Sequence, residues 1–402
     1  MKKIFALLLA LCMVFALAAC GQSAAPTAEP APAAEAPAAE APAEEAPAAE
    51  AAPAEAAGDT KVAMITDYGD ITDQSFNQTT YEACKAFCEA NGVDFTYFKP
   101  ASDSDEDRVS MIEKAIDEGY NVIVMPGYAF APAIAATAPE YDDVTFIALD
   151  VSDYDLSSAG LDPIPANLYS AVYQEELCGY MAGYAAVKLG YTKLGFLGGM
   201  AVPAVVRYGY GFVQGADAAA AEIGADVSMK YAYGNQFFGD ADITAAMDTW
   251  YADGTEVVFA CGGGIYTSAV DAAKKVDGKV IGVDVDQAGV IQNYAEAADT
   301  SMTVTSAMKG LAATVNTELA AVVSGSFEGG KVENLGLVST VPAENYVQLA
   351  GSTQFGEGFT EDDYVALVAD MFSGKITVNN DITISAADNA TTITVDDLGN
   401  LK

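Results

Sequence analysis

The sequence predicts an α/β protein built from two lobes, each a doubly wound parallel sheet flanked by helices. Short apolar runs alternate with segments of helical periodicity, and the alternation breaks once and then restarts. The chain of 402 residues is 51% hydrophobic, which is enough for one large or two medium-sized globular domains. Strands that are separated by helices are typical of parallel sheets, because a crossover must connect such strands.

The first series of elements follows a short apolar run near residue 61. We predict strands at Lys61–Thr66, Asp94–Phe98, Asn121–Met125 and Thr145–Leu149, and helices at Gln78–Asn91, Ser104–Glu118 and Phe130–Ala138. The series ends at Val151–Pro165, which contains one glycine and two prolines and predicts a break between the lobes.

The second series repeats the pattern. We predict strands at Lys193–Leu197, Val227–Tyr231, Val257–Ala260, Val280–Val283 and Ser301–Thr305, and helices at Tyr173–Lys188, Tyr208–Glu222, Asp240–Ala252, Ile265–Lys275 and Met308–Ser324. The tail after residue 325 is rich in Thr, Val, Gly and Asp, and it predicts loops and short strands with one helix at Glu361–Phe372.

The first 58 residues predict export and anchoring. Residues 1–20 combine two lysines, an apolar stretch too short for a membrane span and a Leu-Ala-Ala-Cys ending, which resembles a bacterial lipobox with Cys20 as the lipidated residue. A plain secretory signal with an incidental cysteine is the alternative. Residues 21–58 are low-complexity Ala, Pro and Glu, and they predict a disordered, negatively charged tether.

Charge and composition exclude several classes of function. The formal net charge of −39 repels phosphate backbones and anionic lipid, so we expect no nucleic-acid partner. The chain has no histidine, which removes Ser-His and Cys-His nucleophiles and histidine metal ligands. We expect no cofactor and no metal. An enzyme that uses carboxylates or lysine stays possible on composition alone.

The loop between the first predicted strand and helix is the strongest candidate for a ligand site. Residues 67–77 (DYGDITDQSFN) carry three carboxylates, a serine, an asparagine and a phenylalanine. In an open parallel sheet, the loops at the carboxyl ends of strands line the ligand crevice. Carboxylates and amides can bind hydroxyl groups, and an aromatic ring can stack on a flat ligand. The alternative is an ordinary loop in which Asp73 or Ser75 caps the helix.

Other strand ends carry similar groups. They include Asp150, the segment Asn235–Asp240 with two phenylalanines, Gly262–Gly264, Asp284 and Lys309, which is predicted to open a helix. Any single aspartate could be a helix cap, but acidic groups at strand ends of both lobes suit a cleft that binds hydroxyls from two sides. The triple glycine could admit a ligand close to the backbone or form a simple turn.

The cysteines Cys84, Cys88, Cys178 and Cys261 are predicted to be buried free thiols.

The chain resembles the basic membrane protein family of substrate-binding lipoproteins for ABC transporters, which includes purine nucleoside receptors. The resemblance covers about residues 61–380. It is carried by Asp67 with Asp73–Gln78, Gly127–Phe130, Gln174–Tyr184, Gly195–Met200, Gly211–Gly215 and Gly282–Gln287.

The resemblance implies a type I periplasmic-binding fold with three crossings between the lobes. It places the first lobe at residues 59–166 and 303–339 and the second at 167–302 and 340–402. It also implies that the protein is extracytoplasmic, lipid-anchored to the cell membrane and monomeric, that it is not an enzyme, and that it delivers a nucleoside, with a purine base expected, to ABC permease subunits.

The resemblance also implies roles for individual residues. The first ligand loop would supply Asp67, Asp73, Phe76 and Asn77. Asp150 would be the second ligand-binding carboxylate at a strand end. Phe237 or Phe238 would supply a second ring, so that the base is held between two aromatic faces. The second lobe would add Gly263 close to the ligand, Asp284 at the ribose hydroxyls and Lys309 at the base or ribose.

Three other functions stay open at this point. A sugar or another small polar metabolite could occupy the same fold, and such a ligand would not need two aromatic rings. An extracytoplasmic hydrolase could use paired carboxylates. A surface interaction protein would fit the anchor and tether but would bind no small molecule.

Overall fold

The computed structural model of the protein describes residues 58–67 and 69–402. The predicted signal peptide, the lipidated Cys20 and most of the predicted tether lie outside the described residues. No helix within the described ranges is long and apolar enough to cross a membrane.

The strands of the described residues form two sheets. In chain order they are β1 (Lys61–Ile65), β2 (Asp94–Phe98), β3 (Val122–Pro126), β4 (Thr145–Leu149), β5 (Leu168–Tyr173), β6 (Lys193–Gly198), β7 (Ser228–Tyr233), β8 (Val257–Cys261), β9 (Lys279–Asp284), β10 (Thr303–Lys309), β11 (Lys331–Leu335), β12 (Val347–Leu349) and β13 (Thr394–Asn400).

The helices alternate with these strands as the sequence predicts. They are α1 (Phe76–Asn91), α2 (Asp105–Asp117), α3 (Ala131–Thr137), α4 (Asp153–Ser158), α5 (Glu175–Lys188), α6 (Pro203–Ile223), α7 (Ala241–Ala252), α8 (Tyr266–Ala273), α9 (Ala288–Ala295), α10 (Leu311–Ser324) and α11 (Glu361–Phe372). Single 3₁₀ turns lie at Tyr128–Phe130, Pro342–Glu344 and Ala387–Asn389.

Each sheet is the centre of one lobe. The first sheet has the order β11-β5-β4-β3-β1-β2, and all of its pairings are parallel. The second has the order β12-β10-β9-β8-β6-β7-β13, in which β12 alone is antiparallel to its neighbour. Every residue of β3 and β8 is buried, as expected for central parallel strands covered on both faces. The predicted doubly wound, two-lobed α/β class is therefore confirmed.

At two of the positions where the chain was predicted to cross between the lobes, the structure differs from the prediction. The sequence places the residues from 167 onward in the second lobe, but Leu168–Tyr173 form β5, which pairs with β4 and β11 in the first sheet. The short segment follows two prolines and precedes a strongly helical pattern, so its strand character is hidden. Its partner β11 lies more than 150 residues further along the chain, and local patterns carry no information about such a pairing.

The strand β10 is the second correction. Residues 303–309 were predicted to return to the first lobe, but β10 pairs with β9 and β12 in the second sheet. The chain returns only with α10, which packs on α1 of the first lobe. Lys309 is consequently the last residue of a strand, and the helix begins at Leu311. A small correction is α4, a six-residue helix inside the predicted break.

Local signals explain where several helices begin and end. Ser104 accepts the N–H of Asp107 at 3.2 Å and caps α2, whose first turn is acidic. Thr360 and Asp363 form a capping box at the start of α11. The helix α1 ends at Gly92, whose φ of 67° lies in the left-handed region that favours glycine.

Helices α5 and α6 pack unusually closely. A Cβ atom at Gly179 would collide with the carbonyl oxygen of Tyr208, and one at Gly215 with that of Tyr180. Glycine at these positions lets the two helix backbones approach each other. The approach brings Glu175, at the start of α5, beside Arg207, in the second turn of α6.

Candidate functional site

A cleft of about 880 Å³, its open mouth included, lies where the carboxyl ends of strands from both sheets meet. The strands or following loops of β1, β3, β4 and β5 contribute from the first lobe, and those of β6 to β10 contribute from the second. The predicted residues that line it are Asp67, Asp73, Phe76, Asn77, Asp150, Phe237, Gly263, Asp284 and Lys309. The cleft also contains side chains that the sequence analysis did not assign to a ligand site: Tyr128, Ser152, Asp155, Arg207 and Tyr208.

Asp73 caps α1 as well as lining the cleft. Its Oδ1 accepts the backbone N–H groups of Ser75 at 2.9 Å and Gln78 at 3.0 Å, and its Oδ2 accepts the N–H of Asn77 at 3.0 Å. Burial raises the pKa of Asp73 above its ordinary value, although these hydrogen bonds oppose the rise. The alternative interpretation of this residue as a cap is thus correct, and both of its oxygens are engaged by the protein.

The amide nitrogen of Asn77 is hydrogen-bonded to Asp73, whereas its amide oxygen has no partner among the described residues. Its Nδ2 donates to Asp73 Oδ2 at 3.1 Å, so a carboxylate fixes the orientation of the amide. Its Oδ1 is buried and has no hydrogen-bond partner among the described residues. Phe76 is half-buried beside it, with the Lys309 ammonium 4.7 Å from its ring centre. A buried acceptor without a partner suits a ligand that donates a hydrogen bond.

Asp67 is held by a buried arginine. Arg108 donates from Nε at 3.0 Å and from Nη2 at 2.8 Å to the same Asp67 oxygen, and the Arg108 side chain is only 2% exposed. A charge-assisted pair of this kind fixes the carboxylate at the end of β1. Sequence reasoning did not find Arg108, because on α2 it has the appearance of an ordinary surface cation.

Lys309 is the centre of the site's charges. Its Nζ lies 2.6 Å from Asp150, 3.3 Å from Glu175 and 3.9 Å from Asp284, and its side chain is 2% exposed. Burial alone would lower the pKa of Lys309, but the carboxylates of Asp150, Glu175 and Asp284 outweigh burial and raise it. The ammonium therefore stays charged, and it ties Asp150 of the first lobe to the second lobe.

Asp150 has a strained backbone and a carboxylate that is only half used. Its φ is 63°, a conformation uncommon for residues other than glycine. Its Oδ2 accepts from Lys309, whereas its Oδ1 is buried without a partner among the described residues. Burial raises the pKa of Asp150 to about 6, Lys309 opposes the rise, and Glu175 adds to it. This oxygen is well placed to accept a ligand hydroxyl.

Glu175 links two cations that sequence reasoning did not connect. Its Oε2 accepts from Arg207 Nε at 2.7 Å and its Oε1 from Lys309 at 3.3 Å. Burial would raise the pKa of Glu175, but Arg207 and then Lys309 hold it below its ordinary value. Burial raises the pKa of the adjacent Glu176 to about 7. Two acids at the start of an otherwise apolar helix are a signal that could have revealed this pair.

Asp284 is already bound to protein groups. Its Oδ2 accepts from Ser75 of the first lobe at 2.6 Å, and its Oδ1 accepts from Tyr208 at 3.3 Å. Gly263 follows β8 with a φ of 51°, which explains the glycine at this turn.

The two candidate phenylalanines have different surroundings. Phe237 is half-buried and lines the cleft, and Gly262 lies against its ring edge. Phe238 is 61% exposed and does not line the cleft. The structure therefore brings Phe237 together with Phe76 of the opposite lobe and leaves Phe238 outside.

The four cysteines within the described ranges are buried free thiols, as predicted.

The fold and this interlobe cleft define a solute-binding protein of the type I periplasmic class. Among solved structures, the chain is similar to an ABC transporter solute-binding protein from Aeropyrum pernix K1, with a TM-score of 0.61 and 22% identity over 80% of this chain and 88% of that one. It is also similar to one from Conexibacter woesei DSM 14684, with a TM-score of 0.61 and 24% identity over 80% of this chain and 99% of that one. These likenesses concern the fold.

The chain belongs to the family of PnrA-like ABC transporter substrate-binding proteins, whose model matches residues 60–343. It is 28% identical to the ABC transporter nucleoside-binding protein BmpA of Lactococcus lactis, over 80% of this chain and 89% of that protein. It is 30% identical to basic membrane protein A of Borreliella burgdorferi, over 69% of this chain and 76% of that protein. The predicted family is confirmed. The family consists of extracytoplasmic binding proteins that serve a permease, and not of enzymes.

Proposed function

We propose that the protein binds a nucleoside, preferably a purine nucleoside, in the interlobe cleft and delivers it to an ABC permease. The observation that carries this proposal is one combination of groups: aromatic rings from opposite lobes, Phe76 and Phe237, line the same cleft as the buried acceptor oxygen of Asp150. Two rings suit a flat base, and a carboxylate suits sugar hydroxyls. The similarity to a nucleoside-binding protein supports the same ligand class.

Asp150 Oδ1 explains why the ligand should carry hydroxyl groups. A buried acceptor that loses its donor leaves a polar group unsatisfied, which costs affinity. A 2′-deoxy or 3′-deoxy nucleoside should therefore bind more weakly than the riboside. The buried Asn77 Oδ1 also has no hydrogen-bond donor among the described residues, and an N–H group of the base can donate to it.

The charge of the cleft favours nucleosides over nucleotides. Asp67, Asp73, Asp150, Asp155 and Asp284 all line it. A 5′-phosphate would bring negative charge among these carboxylates, against a protein whose net charge is already −39. Equal affinity for a nucleoside and its monophosphate would contradict this electrostatic argument.

Isothermal titration of the full chain tests the proposal, after unfolding and refolding to remove any bound ligand. Adenosine, guanosine, inosine, uridine and ribose would be titrated separately. We expect purine nucleosides to bind most tightly and Phe237→Ala to weaken binding roughly tenfold or more, as the loss of base stacking predicts. Phe238→Ala is the matched control and should leave the affinity unchanged. If the folded protein binds ribose as tightly as inosine, a sugar is the ligand instead.

We also propose that the protein is lipid-anchored through Cys20, as the lipobox-like sequence indicates. Mass spectrometry of the membrane fraction would detect the lipidated cysteine. Cys20→Ser should move the protein from the membrane to the soluble fraction. A Cys20→Ser protein that stays in the membrane fraction would contradict the anchor.

A further inference from the structure

Two hydrogen bonds join the lobes at the back of the first ligand loop. Ser75 Oγ, from the loop before α1, donates to Asp284 Oδ2 at 2.6 Å. Gln287 Nε2, from the turn after β9, donates to the carbonyl oxygen of Gln74 at 3.0 Å. Ser75 and Gln74 belong to the first lobe, whereas Asp284 and Gln287 belong to the second. We call these four residues the cross-lobe latch.

The second lobe holds its part of the latch rigidly. Gln287 is fully buried, its Oε1 accepts the N–H of Val283 at 2.9 Å, and its own N–H donates to Ser306 Oγ at 3.1 Å. Its amide therefore has one end fixed inside the second lobe and the other end directed at the first. A buried side-chain amide whose oxygen and nitrogen are both hydrogen-bonded is held in one orientation.

Each lobe contributes one latch residue with left-handed backbone. Gln74 has a φ of 57° and Asp284 a φ of 65°, both in the left-handed region. Left-handed backbone is costly for residues other than glycine, and it persists where surrounding contacts fix it, commonly at ligand clamps. Asp150, which Lys309 ties to the second lobe, shares this feature with a φ of 63°. Left-handed backbone is therefore present at three residues that make contacts between the lobes, and it also occurs at Asn235, Asp277 and Glu296.

We propose that Ser75 and Gln287 are positioning residues that stabilise the closed arrangement of the two lobes and thereby slow ligand release. Ser75 also orients Asp284, whose carboxylate faces the cleft. Because release requires the lobes to separate, each bond that crosses the cleft must break first. The effect on release rests on the proposed nucleoside function, but the effect on lobe closure does not.

Two measurements on the full chain test the latch. Small-angle scattering of ligand-free protein reports lobe opening, and stopped-flow fluorescence reports release of inosine. Ser75→Ala removes one hydroxyl and should enlarge the radius of gyration and speed release about tenfold, because a hydrogen bond to a buried carboxylate is lost. Gln287→Met removes the second cross-lobe bond together with the acceptor of the Val283 N–H, and it should change both quantities in the same direction.

Ser268→Ala is the matched control. Ser268 is a buried serine of the second lobe, outside the cleft, and the partners of its hydroxyl among the described residues are Asp240 and Thr244 of that same lobe. It should leave scattering and release unchanged. If ligand-free Ser75→Ala scatters like the wild type, the proposal is overturned. If no nucleoside binds but Ser75→Ala still opens the lobes, the latch is supported and the proposed ligand is wrong.

Discussion

Two aspartates that follow strands of the first lobe have opposite surroundings. Asp73 gives both of its oxygens to the start of α1, where they accept three backbone N–H groups and the Asn77 amide. Asp150 gives one oxygen to Lys309 and keeps the other buried without a partner among the described residues. The two residues lie in the same cleft and have the same chemistry. From these hydrogen bonds we propose that Asp73 serves the loop's structure and that Asp150 serves the ligand.

The same contrast extends to the regions around them. The first ligand loop is stabilised by backbone hydrogen bonds within one lobe, whereas the Asp150 region is stabilised by charges that cross between lobes. Buried ion pairs are costly to break because the remaining charges lose their compensation. Substitutions in the Asp150 region should therefore have the larger effects on stability when they remove the cation.

Lys309→Met should have the largest effect. It would leave Asp150, Glu175 and Asp284 buried without their shared cation, and we expect the free energy of unfolding to fall by about 3–5 kcal/mol. Chemical denaturation measures this loss. Lys275→Met is the control, because Lys275 pairs with Asp248 on the surface and is 52% exposed. It should cost no more than about 1 kcal/mol. Equal losses would show that the buried charges do not depend on Lys309.

The comparison of the two aspartates gives the next prediction. Asp73→Ala removes a helix cap and should lower the free energy of unfolding by about 1–2 kcal/mol. Asp150→Asn should change stability less, because burial already disfavours the charged form of that residue. It should instead weaken nucleoside binding about tenfold. Denaturation and calorimetry on both variants separate the roles, and a reversed pattern would contradict our assignment.

The titration of Asp150 predicts opposite effects of pH on binding and stability. Its pKa is raised from 3.8 to about 6. Acidification from pH 7.5 to 5 should weaken binding, because the protonated carboxyl is a poorer acceptor. The folded state binds this proton more tightly than the unfolded state does, so this residue's contribution to stability should rise as the pH falls from about 6 toward 3.8. Calorimetry across this range should show a smaller change in affinity for Asp150→Asn than for the wild type.

The smallest effect is expected at Asp70, the middle of the three aspartates in the ligand loop. Asp70 pairs with Lys99 on the surface, where both side chains are about half exposed. The Lys99 hydrogen bond lowers the pKa of Asp70. Asp70→Asn should change the free energy of unfolding by less than about 1 kcal/mol and leave nucleoside affinity unchanged. A large loss of affinity would mean that the loop recognises ligands through Asp70.

The local part of the fold was predictable from sequence. The hydrophobic period and the turn residues predict the bounds of β2, β4 and α11 to the residue. They can do so because the pattern of burial within an element is a local property. The strand β5 was not predicted, and the residues of β5 and β10 were assigned to the wrong lobes. Their partners are distant in the chain, and nothing in a single sequence says which sheet edge a strand joins.

The sequence predicted residues that line the cleft but not the contacts among them. Strand ends and the family resemblance indicated nine residues that line the cleft. The burial of Arg108 and the Glu175–Arg207 pair followed from the packing of α2 on β1 and of α5 on α6. The sequence left Phe237 and Phe238 equivalent, because the direction of a side chain in an irregular loop depends on tertiary contacts.

A crystal structure of the full chain with inosine bound tests the central claim most directly. We predict the base between Phe76 and Phe237, a ribose hydroxyl within hydrogen-bond distance of Asp150 Oδ1, and a donor of the base at Asn77 Oδ1. A nucleoside found outside the interlobe cleft, or one held with its sugar away from Asp150, would contradict the account.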